Sequence, residues 1–436
     1  MSKHSILTRL QWRGSNKVYQ IPWLRNRIEF SANPSRIREF TQGCEFTRSQ
    51  LTIDMLNRFH LSNHSIVVSD DEHAGLLRKL FRETMPDRHR FPVMARALVQ
   101  AWLGRLDLNK PEMGQPISSH FIGENYISLL RHLLGADLPD TLIEEIRNTT
   151  FHPGSRPVHI EGLMFAFGLQ LPGFKPMRTV VDLLFFRGEH YTRKIARKFE
   201  KLVRETALPK PGSWYSTLLD LKARKVIGKA QLDGELTSIL VSSFSLSAAM
   251  CSMLLCLAAR QEYVQKIRSD ERLARAFVSE VLRLYSPFRR FGYEHKGVWH
   301  NRARNPMEAT DFMVSVGDLH RDESVWPDAG KFMPERFLEP RAAAGCRYLP
   351  FGMGKRSCIG QAYSLQILSE VLKYVCSEDF GYELDLPEDY ESDASGLPVG
   401  ISGRLISFTV DDRICVTPLD RVVNGNRALN APTSGQ

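Results

Sequence analysis

The sequence predicts a mainly helical fold with a smaller lobe rich in β-structure. Helical periodicity runs through residues 93–107 and 117–136, and Leu236–Ala259 is a stretch of 24 residues without a charged side chain. Strand-like stretches follow at Phe288–Tyr293 and Phe312–Val316. Hydrophobic residues make up 43% of the 436 residues and charged residues 25%, as is typical of a globular protein with a large core.

The other elements follow from local sequence. Residues 1–40 are basic and predict a loosely structured start, whereas residues 46–62 carry a helical pattern. Asp137–Asp140 predicts the start of a further helix, and the pattern over residues 179–206 predicts a long basic amphipathic helix. The stretch Leu397–Phe408 is interpreted as a C-terminal hairpin.

The uncharged stretch Leu236–Ala259 has two interpretations. It is long enough to span a membrane. However, it contains one threonine and six serines, and it follows Asp233–Glu235, which predicts a capped helix start with acid in the first turn. A helix buried on all sides within a large domain explains these features as well, and the cysteine loop described below favours that interpretation.

Charge and cysteine usage restrict the class of protein. The net charge is +9, but lysine and arginine are spread along the chain without a long run, so nucleic-acid binding is not indicated. An acidic protein partner or a membrane surface remains compatible with this charge. The seven cysteines are scattered, without a C-x-x-C pair or zinc spacing, which favours a reducing cytoplasm. The first residues lack the pattern of a signal peptide.

The stretch Phe351–Gly360 carries the strongest chemical signal. Three glycines, Gly352 and Gly360 among them, surround Cys358 and allow a flat cofactor to approach the backbone. Arg356 is placed to meet an acidic group such as a haem propionate, and Phe351 can shield the sulfur from water. We interpret this loop as binding the iron of haem b through the Cys358 thiolate. The alternative is a buried cysteine in a glycine-rich turn.

The pattern Phe-x-x-Gly-x-Arg-x-Cys-x-Gly, ending at Gly360, resembles the haem loop of the cytochrome P450 superfamily, the haem-thiolate monooxygenases. The resemblance covers roughly residues 60–420 and is to the soluble bacterial members. It implies one cytochrome P450 domain over residues 1–436, with about 1–20 and 424–436 loosely ordered. Haem would lie between the long central helix and the cysteine loop.

A second landmark of the resemblance is a charged cluster. Glu280 and Arg283 lie three residues apart in an apolar-periodic helix, where they share a face. The segment Phe332–Phe337 contains Arg336 and is similar to another family motif. The resemblance implies that Glu280, Arg283 and Arg336 form a buried ion network behind the haem loop. The alternative for the first two is an ordinary exposed helix pair.

In this family the central helix carries an acid and an alcohol that relay protons toward the oxygen site. Counting without gaps from Glu280 places the alcohol at Ser245 and the acid at Phe244, whereas a slip of one residue would bring Leu246 to the alcohol position. The resemblance therefore implies catalytic positions at Ser245 and Phe244, with a hydroxyl retained and the acid replaced by an aromatic wall. The alternative for Ser245 is a hydrogen bond to the carbonyl of residue i−4.

The resemblance also implies propionate contacts at the start of a helix. His73 matches the family histidine, with a surface histidine as the alternative. Leu77 stands at the position of the family arginine and Arg78 follows it.

Apolar and aromatic stretches near these landmarks predict a hydrophobic substrate pocket. The family often has a propionate-binding arginine where Gly292 stands, and one of the two arginines at 289 and 290 is the expected substitute. The residues expected to line the pocket are Val241, Ser242, Phe288, Phe291, Val399 and Ile401.

Together these features predict a cytoplasmic, monomeric monooxygenase that inserts oxygen into a hydrophobic small molecule of secondary or terpenoid metabolism. Electrons would come from a separate ferredoxin- or flavodoxin-type partner. Because Phe244 replaces the acid, an atypical enzyme that uses peroxide or catalyses dehydration or rearrangement is the alternative. A haem-binding sensor or a membrane protein without haem is a third hypothesis.

Overall fold

A computed structural model of the chain describes residues 17–20, 27–43, 46–48, 65–67, 72–85, 87–109, 114–149, 197, 200–201, 203–288, 290–295, 310–339, 345–390 and 413–419. Its helices are α1 (Pro34–Gly43), α2 (Glu72–Glu83), α3 (Phe91–Leu103), α4 (Ser118–His132), α5 (Asp140–Thr149), α6 (Trp214–Ala223), α7 (Lys229–Ala258), α8 (Glu262–Ser269), α9 (Arg272–Leu284), α10 (Val316–Leu319) and α11 (Gln361–Cys376). Its strands are β1 (Lys17–Gln20), β2 (Arg27–Ser31), β3 (Phe46–Arg48), β4 (Gln115–Pro116), β5 (Ala136–Asp137), β6 (Leu208–Pro209), β7 (Arg290–His295), β8 (Thr310–Ser315), β9 (Tyr382–Asp385) and β10 (Arg413–Pro418).

The 30-residue helix α7 is the centre of the helical part. Helices α4, α6, α9 and α11 all contact it, which buries its side chains from Leu246 to Ala258. It begins at Lys229 after the N-cap Gly228, so the prediction that Asp233–Glu235 caps this helix is wrong. Gly228 ends the preceding turn, and the polar residues that follow continue the helix into the apolar stretch. Among the described residues, no helix combines the length and the hydropathy that a membrane span requires.

The β-rich lobe is built on a five-stranded sheet with the order β1-β2-β8-β7-β3. Strand β2 runs parallel to β8, and the other neighbours are antiparallel. Helix α1 covers this sheet, with the ring of Phe40 stacked on that of Phe312 at 4.2 Å. The prediction of a loosely structured start over residues 1–40 is therefore wrong for β1, β2 and α1. Pairing with β8, far along the chain, orders a segment that has little local signal.

Two further predictions are corrected by pairing in this sheet. Residues 46–48 form strand β3, opposite Tyr293–His295 of β7, instead of starting the helix predicted over residues 46–62. Phe46 packs edge-on against Tyr293 at 5.4 Å, so a tertiary contact decides the local conformation. Residues 49–64 lie outside the described ranges, as do residues 151–196, the hairpin predicted at Leu397–Phe408, and residues 424–436.

Candidate functional site: the Cys358 loop

The loop from Leu349 to Gly360 presents one cysteine at the start of a long helix. The Cys358 N–H donates to the Phe351 carbonyl at 2.8 Å, and the Ser357 N–H donates to the Gly354 carbonyl at 3.0 Å. These bonds turn the backbone so that Cys358 is exposed directly before the 16-residue helix α11. A helix start of this length places N–H groups and a positive partial charge near the sulfur, which favours the thiolate.

Two positions of this loop are occupied by glycine because their backbone adopts a positive φ angle. Gly352 has φ +72° and Gly354 has φ +59°, a region that residues with a Cβ rarely adopt. A Cβ on Gly352 would lie 2.9 Å from Tyr293 Oη, and one on Gly354 would lie 2.5 Å from the Phe46 ring. Gly360 differs, since a Cβ there would make only an ordinary contact with Cys358 Sγ at 3.8 Å.

A buried ion network lies behind the loop. The Arg283 guanidinium forms a two-point ion pair with Glu280, at 2.8 Å from Nε to Oε2 and 2.7 Å from Nη2 to Oε1. Both side chains are 0% exposed. Arg336 Nε approaches Glu280 Oε1 at 3.3 Å, and the Met333 N–H donates to the same oxygen at 2.9 Å. The structure therefore brings together the three residues of the predicted network.

Arg283 also holds the segment from His320 to Lys331 through its remaining N–H hydrogen bonds. Nη1 donates to the carbonyls of His320 and Ala329 at 2.6 and 2.8 Å, and Nη2 donates to the Lys331 carbonyl at 3.0 Å. All five guanidinium N–H groups thus have acceptors, as a buried arginine requires. The network fixes the segment after β8 against helix α9.

His320 links this network to the cysteine loop, and the sequence analysis did not select it. Its Nε2 accepts the Leu349 N–H at 3.0 Å, while its Nδ1 lies 3.0 Å from the Arg283 carbonyl oxygen. The Nδ1–H therefore donates to that carbonyl and the imidazole is neutral. Complete burial lowers the pKa of His320 to about 3, against the Arg283 hydrogen bond, which raises it. The ring stacks on Tyr348 at 5.4 Å.

The arginine of α2 that reaches the loop is Arg78. Its Nη2 donates to the Ser357 carbonyl at 2.6 Å, next to Cys358, whereas Leu77 is buried in the core. The backbone of His73 lies in the first turn of α2, and its side chain lies outside the described part of the structure.

Serine hydroxyls mark one face of α7. Ser245 Oγ donates to the Ser242 carbonyl at 2.9 Å, and Ser242 Oγ donates to the Ser238 carbonyl at 2.8 Å. Ser245 therefore donates to a carbonyl of its own helix, as in the alternative given above, but the acceptor is residue i−3 and not residue i−4. Ser242 is exposed although most of its helix is buried. Phe244 and Val241 lie in the same helix, and their side chains are outside the described part.

This arrangement suits a haem. Cys358 is exposed on a turn with two glycines at positive φ, and Arg356, two residues before the cysteine, is 4% exposed and so carries its charge into the interior. Residues 243–372, which include the Cys358 loop and the ion network, match the family model named Cytochrome P450.

Residues 243–372 of the chain therefore belong to the cytochrome P450 family.

Solved structures show the P450 fold over most of the chain. The crystal structure of CYP175A1 from Thermus thermophilus is similar with a TM-score of 0.63 and 18% identity, over 93% of this chain and 94% of that one. A six-coordinated cytochrome P450, also from Thermus thermophilus, gives a TM-score of 0.61 and 17% identity, over 90% and 94%. The cytochrome P450 fold predicted from the sequence, mainly helical with a small β-rich lobe, is confirmed.

Curated relatives match over a shorter stretch. A bifunctional cytochrome P450/NADPH–P450 reductase of Bacillus subtilis is 36% identical over 121 residues, which is 26% of this chain and 12% of that protein. A human steroid 17-alpha-hydroxylase/17,20 lyase is 34% identical over 86 residues, 19% of this chain and 16% of that protein. The matched region thus spans less than a fifth of the length of these two relatives. Homologues in this superfamily are haem-thiolate oxidoreductases.

The aromatic residues predicted to line the pocket of this P450 lie beside the loop. Phe288 and Phe291 are half-buried with ring centroids 5.9 Å apart, and Phe291 Cε1 would lie 3.9 Å from a Cβ on Gly352. Val399 and Ile401 lie outside the described residues.

One of the two arginines at 289 and 290 was expected to replace the family's propionate-binding arginine at the position of Gly292, and the structure describes Arg290. The Arg290 guanidinium lies 5.6 Å from the centroid of the Phe30 ring, on β2, and burial lowers its pKa. Arg289 lies outside the described residues.

Replacing Gly354 with alanine tests the steric role of this loop. We expect Gly354→Ala to lower the free energy of unfolding by about 2–4 kcal/mol, because the positive φ costs about 1–2 kcal/mol and the Cβ collides with Phe46. Urea titration measures the loss. Gly212→Ala is the matched control, since Gly212 has φ +74° and open space around the added Cβ. Equal losses in the two variants would show that the contact with Phe46 is unimportant.

Proposed function

We propose that this P450 is a haem-thiolate monooxygenase that inserts oxygen into a hydrophobic small molecule. The observation that carries the proposal is the exposed Cys358 at the start of α11, within a glycine turn that matches the family model. Haem b bound through the Cys358 thiolate would supply the oxygen-activating chemistry, since thiolate ligation favours O–O cleavage.

Several residues would hold and shield this group. Cys358 would provide the ligand, and Gly352 and Gly360, which lack a Cβ, would let the macrocycle approach the backbone. Arg356 and His73 are proposed to face propionates, and Arg78 joins them because its guanidinium already lies beside Cys358. The half-buried Phe351 accepts the Cys358 N–H through its carbonyl, and its ring would shield the sulfur from water once the haem is bound.

Proton delivery would depend on Ser245 and water. The Ser245 hydroxyl donates its proton to the Ser242 carbonyl, so its oxygen lone pairs are the part available to a water molecule. Phe244, at the position of the usual acid, has no proton to transfer. Ser245 would therefore position a water rather than work with a neighbouring carboxyl group.

The substrate and the partners are also proposals. Phe288 and Phe291 suit an apolar molecule, and relatives named for vinorine and for a steroid are consistent with a substrate of secondary or terpenoid metabolism. The Arg78, Lys79 and Arg82 side chains make α2 basic, as suits docking of an acidic ferredoxin or flavodoxin. We place this monomeric enzyme in the cytoplasm, because scattered cysteines are usual in a reducing compartment.

The carbon monoxide difference spectrum tests the proposal. The reduced protein is expected to absorb at about 450 nm with carbon monoxide, and Cys358→Ser to abolish that band because the thiolate ligand is lost. Cys346→Ser is the control, since Cys346 is a half-buried thiol on a different turn. A protein without the band, or a Cys358→Ser variant that retains it, contradicts the proposal. Product formed with peroxide but not with ferredoxin, reductase and NAD(P)H would replace monooxygenation by the peroxide-dependent alternative.

A further inference from the structure

Glu235 is a buried carboxyl group that the proposed mechanism does not use. It lies on α7 and is 1% exposed. Its Oε1 accepts the Ile66 N–H at 2.6 Å, and its Oε2 has no hydrogen-bond partner among the described residues. Burial raises the pKa of Glu235 to about 8, against the Ile66 hydrogen bond, and no described charged group contributes to the shift. The carboxyl group is therefore predominantly protonated at neutral pH.

The position of that proton follows from the hydrogen bond. Because Oε1 is the acceptor for the Ile66 N–H, the acid proton resides on Oε2, which becomes a buried donor. Ser65 precedes Ile66, is fully buried, and has a hydroxyl group that also lacks a partner among the described residues. Two buried O–H groups, one on Ser65 and one on the carboxyl group that binds the Ile66 N–H, thus have no acceptor among the described residues. Native structures rarely leave such groups unsatisfied, so an acceptor from outside the described chain is expected.

Helix geometry connects this pair with the substrate side of α7. At 100° per residue, Glu235, Ser238, Ser242 and Ser245 fall within a sector of about 80°. Ser242 is exposed and Ser245 is half-buried, whereas Glu235 and Ser238 are buried, so the row leads from solvent into the interior. Ten residues separate Glu235 from Ser245, which is about 15 Å along the helix. Glu235 therefore lies at the end of the row remote from the proposed oxygen site.

We propose that Glu235 and Ser65 form a binding subsite for a carbonyl oxygen at the far end of an elongated hydrophobic substrate. The inference rests on the proposed function for its location in a substrate pocket. A carbonyl oxygen has two lone pairs, and the two O–H donors match them. The subsite fixes which end of the molecule points toward Ser245, so it determines the position that is oxidised.

Matched ligands test the subsite on the holoprotein. Calorimetry is used to measure the binding of dodecan-2-one and of dodecane, which differ in the carbonyl group, and the ratio of their dissociation constants is compared between variants. Glu235→Leu is expected to reduce the preference for the ketone about tenfold, because a hydrogen bond from a buried donor is lost. Glu235→Gln retains an amide donor and is expected to keep part of the preference. Ser65→Ala provides a smaller, independent loss.

Infrared spectroscopy supplies a readout on Glu235 itself. Dodecan-2-one is expected to shift the C=O stretching band of the protonated carboxyl group, the band is expected to be absent in Glu235→Gln, and dodecane is expected to leave it in place. Glu200→Gln is the matched control, since Glu200 is equally buried on a neighbouring helical segment and is already bonded by the Thr237 hydroxyl. This control is expected to keep both the ligand preference and the band.

The outcomes separate this inference from the proposed function. An unchanged ligand ratio in Glu235→Leu and Glu235→Gln, an infrared band that the ketone does not move, or a wild-type protein that binds neither ligand overturns the subsite. Water would then be the acceptor of both hydroxyl protons. Calorimetry and the infrared band of the carboxyl group are measured independently of the haem spectrum. A missing absorbance at about 450 nm with carbon monoxide would therefore contradict only the monooxygenase proposal.

Discussion

Arg283→Met is expected to lower the free energy of unfolding by about 3–5 kcal/mol and to reduce haem retention, which makes it the most damaging single substitution that we predict. Methionine fills a similar volume but leaves the Glu280 carboxylate buried with its two-point partner removed. It also leaves the carbonyls of His320, Ala329 and Lys331 without their donor. Urea titration followed by circular dichroism and haem absorbance measures both losses.

Two further variants separate the cost of an unpaired charge from the value of the pair. Glu280→Leu combined with Arg283→Met removes both charges, and we expect it to recover part of the stability lost in the single variant. Arg336→Met is the control at the edge of the network, where the side chain is 11% exposed and its contact with Glu280 is longer. A loss below about 1 kcal/mol in Arg283→Met would contradict the view that this network holds the loop.

The cysteine loop and the ion network could be predicted because their chemistry is local in sequence. A thiolate ligand needs glycines and a cation at fixed short distances, and Glu280 and Arg283 share a helix face through their i, i+3 spacing. Arg78 was harder to identify because the count from His73 assigned the family's arginine position to Leu77. The apolar row Ala74, Leu77 and Phe81 gave the helix phase and could have placed Leu77 in the core and Arg78 beside the loop.

The elements that sequence analysis missed depend on distant partners. Strand β2 is ordered by parallel pairing with β8, far along the chain, and β3 by pairing with β7. Local propensity contains no information on such pairing. His320 was missed for a related reason, since its role comes from the Leu349 amide and the Arg283 carbonyl, which only the fold brings together. Glu235 was assigned to a helix cap because the start of α7 was placed too late in the sequence.

His320 gives the second large prediction, which concerns pH. The pKa of His320 is about 3 in the folded protein and 6.5 in an exposed reference, so the unfolded chain binds more protons between these values. Its stabilising contribution is therefore complete above pH 6.5 and is lost as the pH falls. We expect the destabilisation caused by His320→Gln to be largest near neutral pH and to shrink by about 1.4 kcal/mol per pH unit below about 6.5. Urea titrations of wild type and variant from about pH 7 to about pH 5 measure this difference.

The comparison with a variant is needed because other buried groups titrate over the same range. The pKa of Glu235 is raised to about 8, so the folded state holds an extra proton there and Glu235 favours folding increasingly as the pH falls toward 4.5. The pKa of His132 is lowered to about 4 by burial and by neighbouring cations. His132, like His320, therefore lowers the stability of the folded protein as the pH falls. His132→Gln is a control for contact with the cysteine loop and not for titration, since His132 is only half-buried, makes no contact with that loop among the described hydrogen bonds, and has a lowered pKa of its own. A cost of His320→Gln that is constant over this pH range would mean that His320 is solvated in the folded protein, and the link between Arg283 and Leu349 would then be open to water.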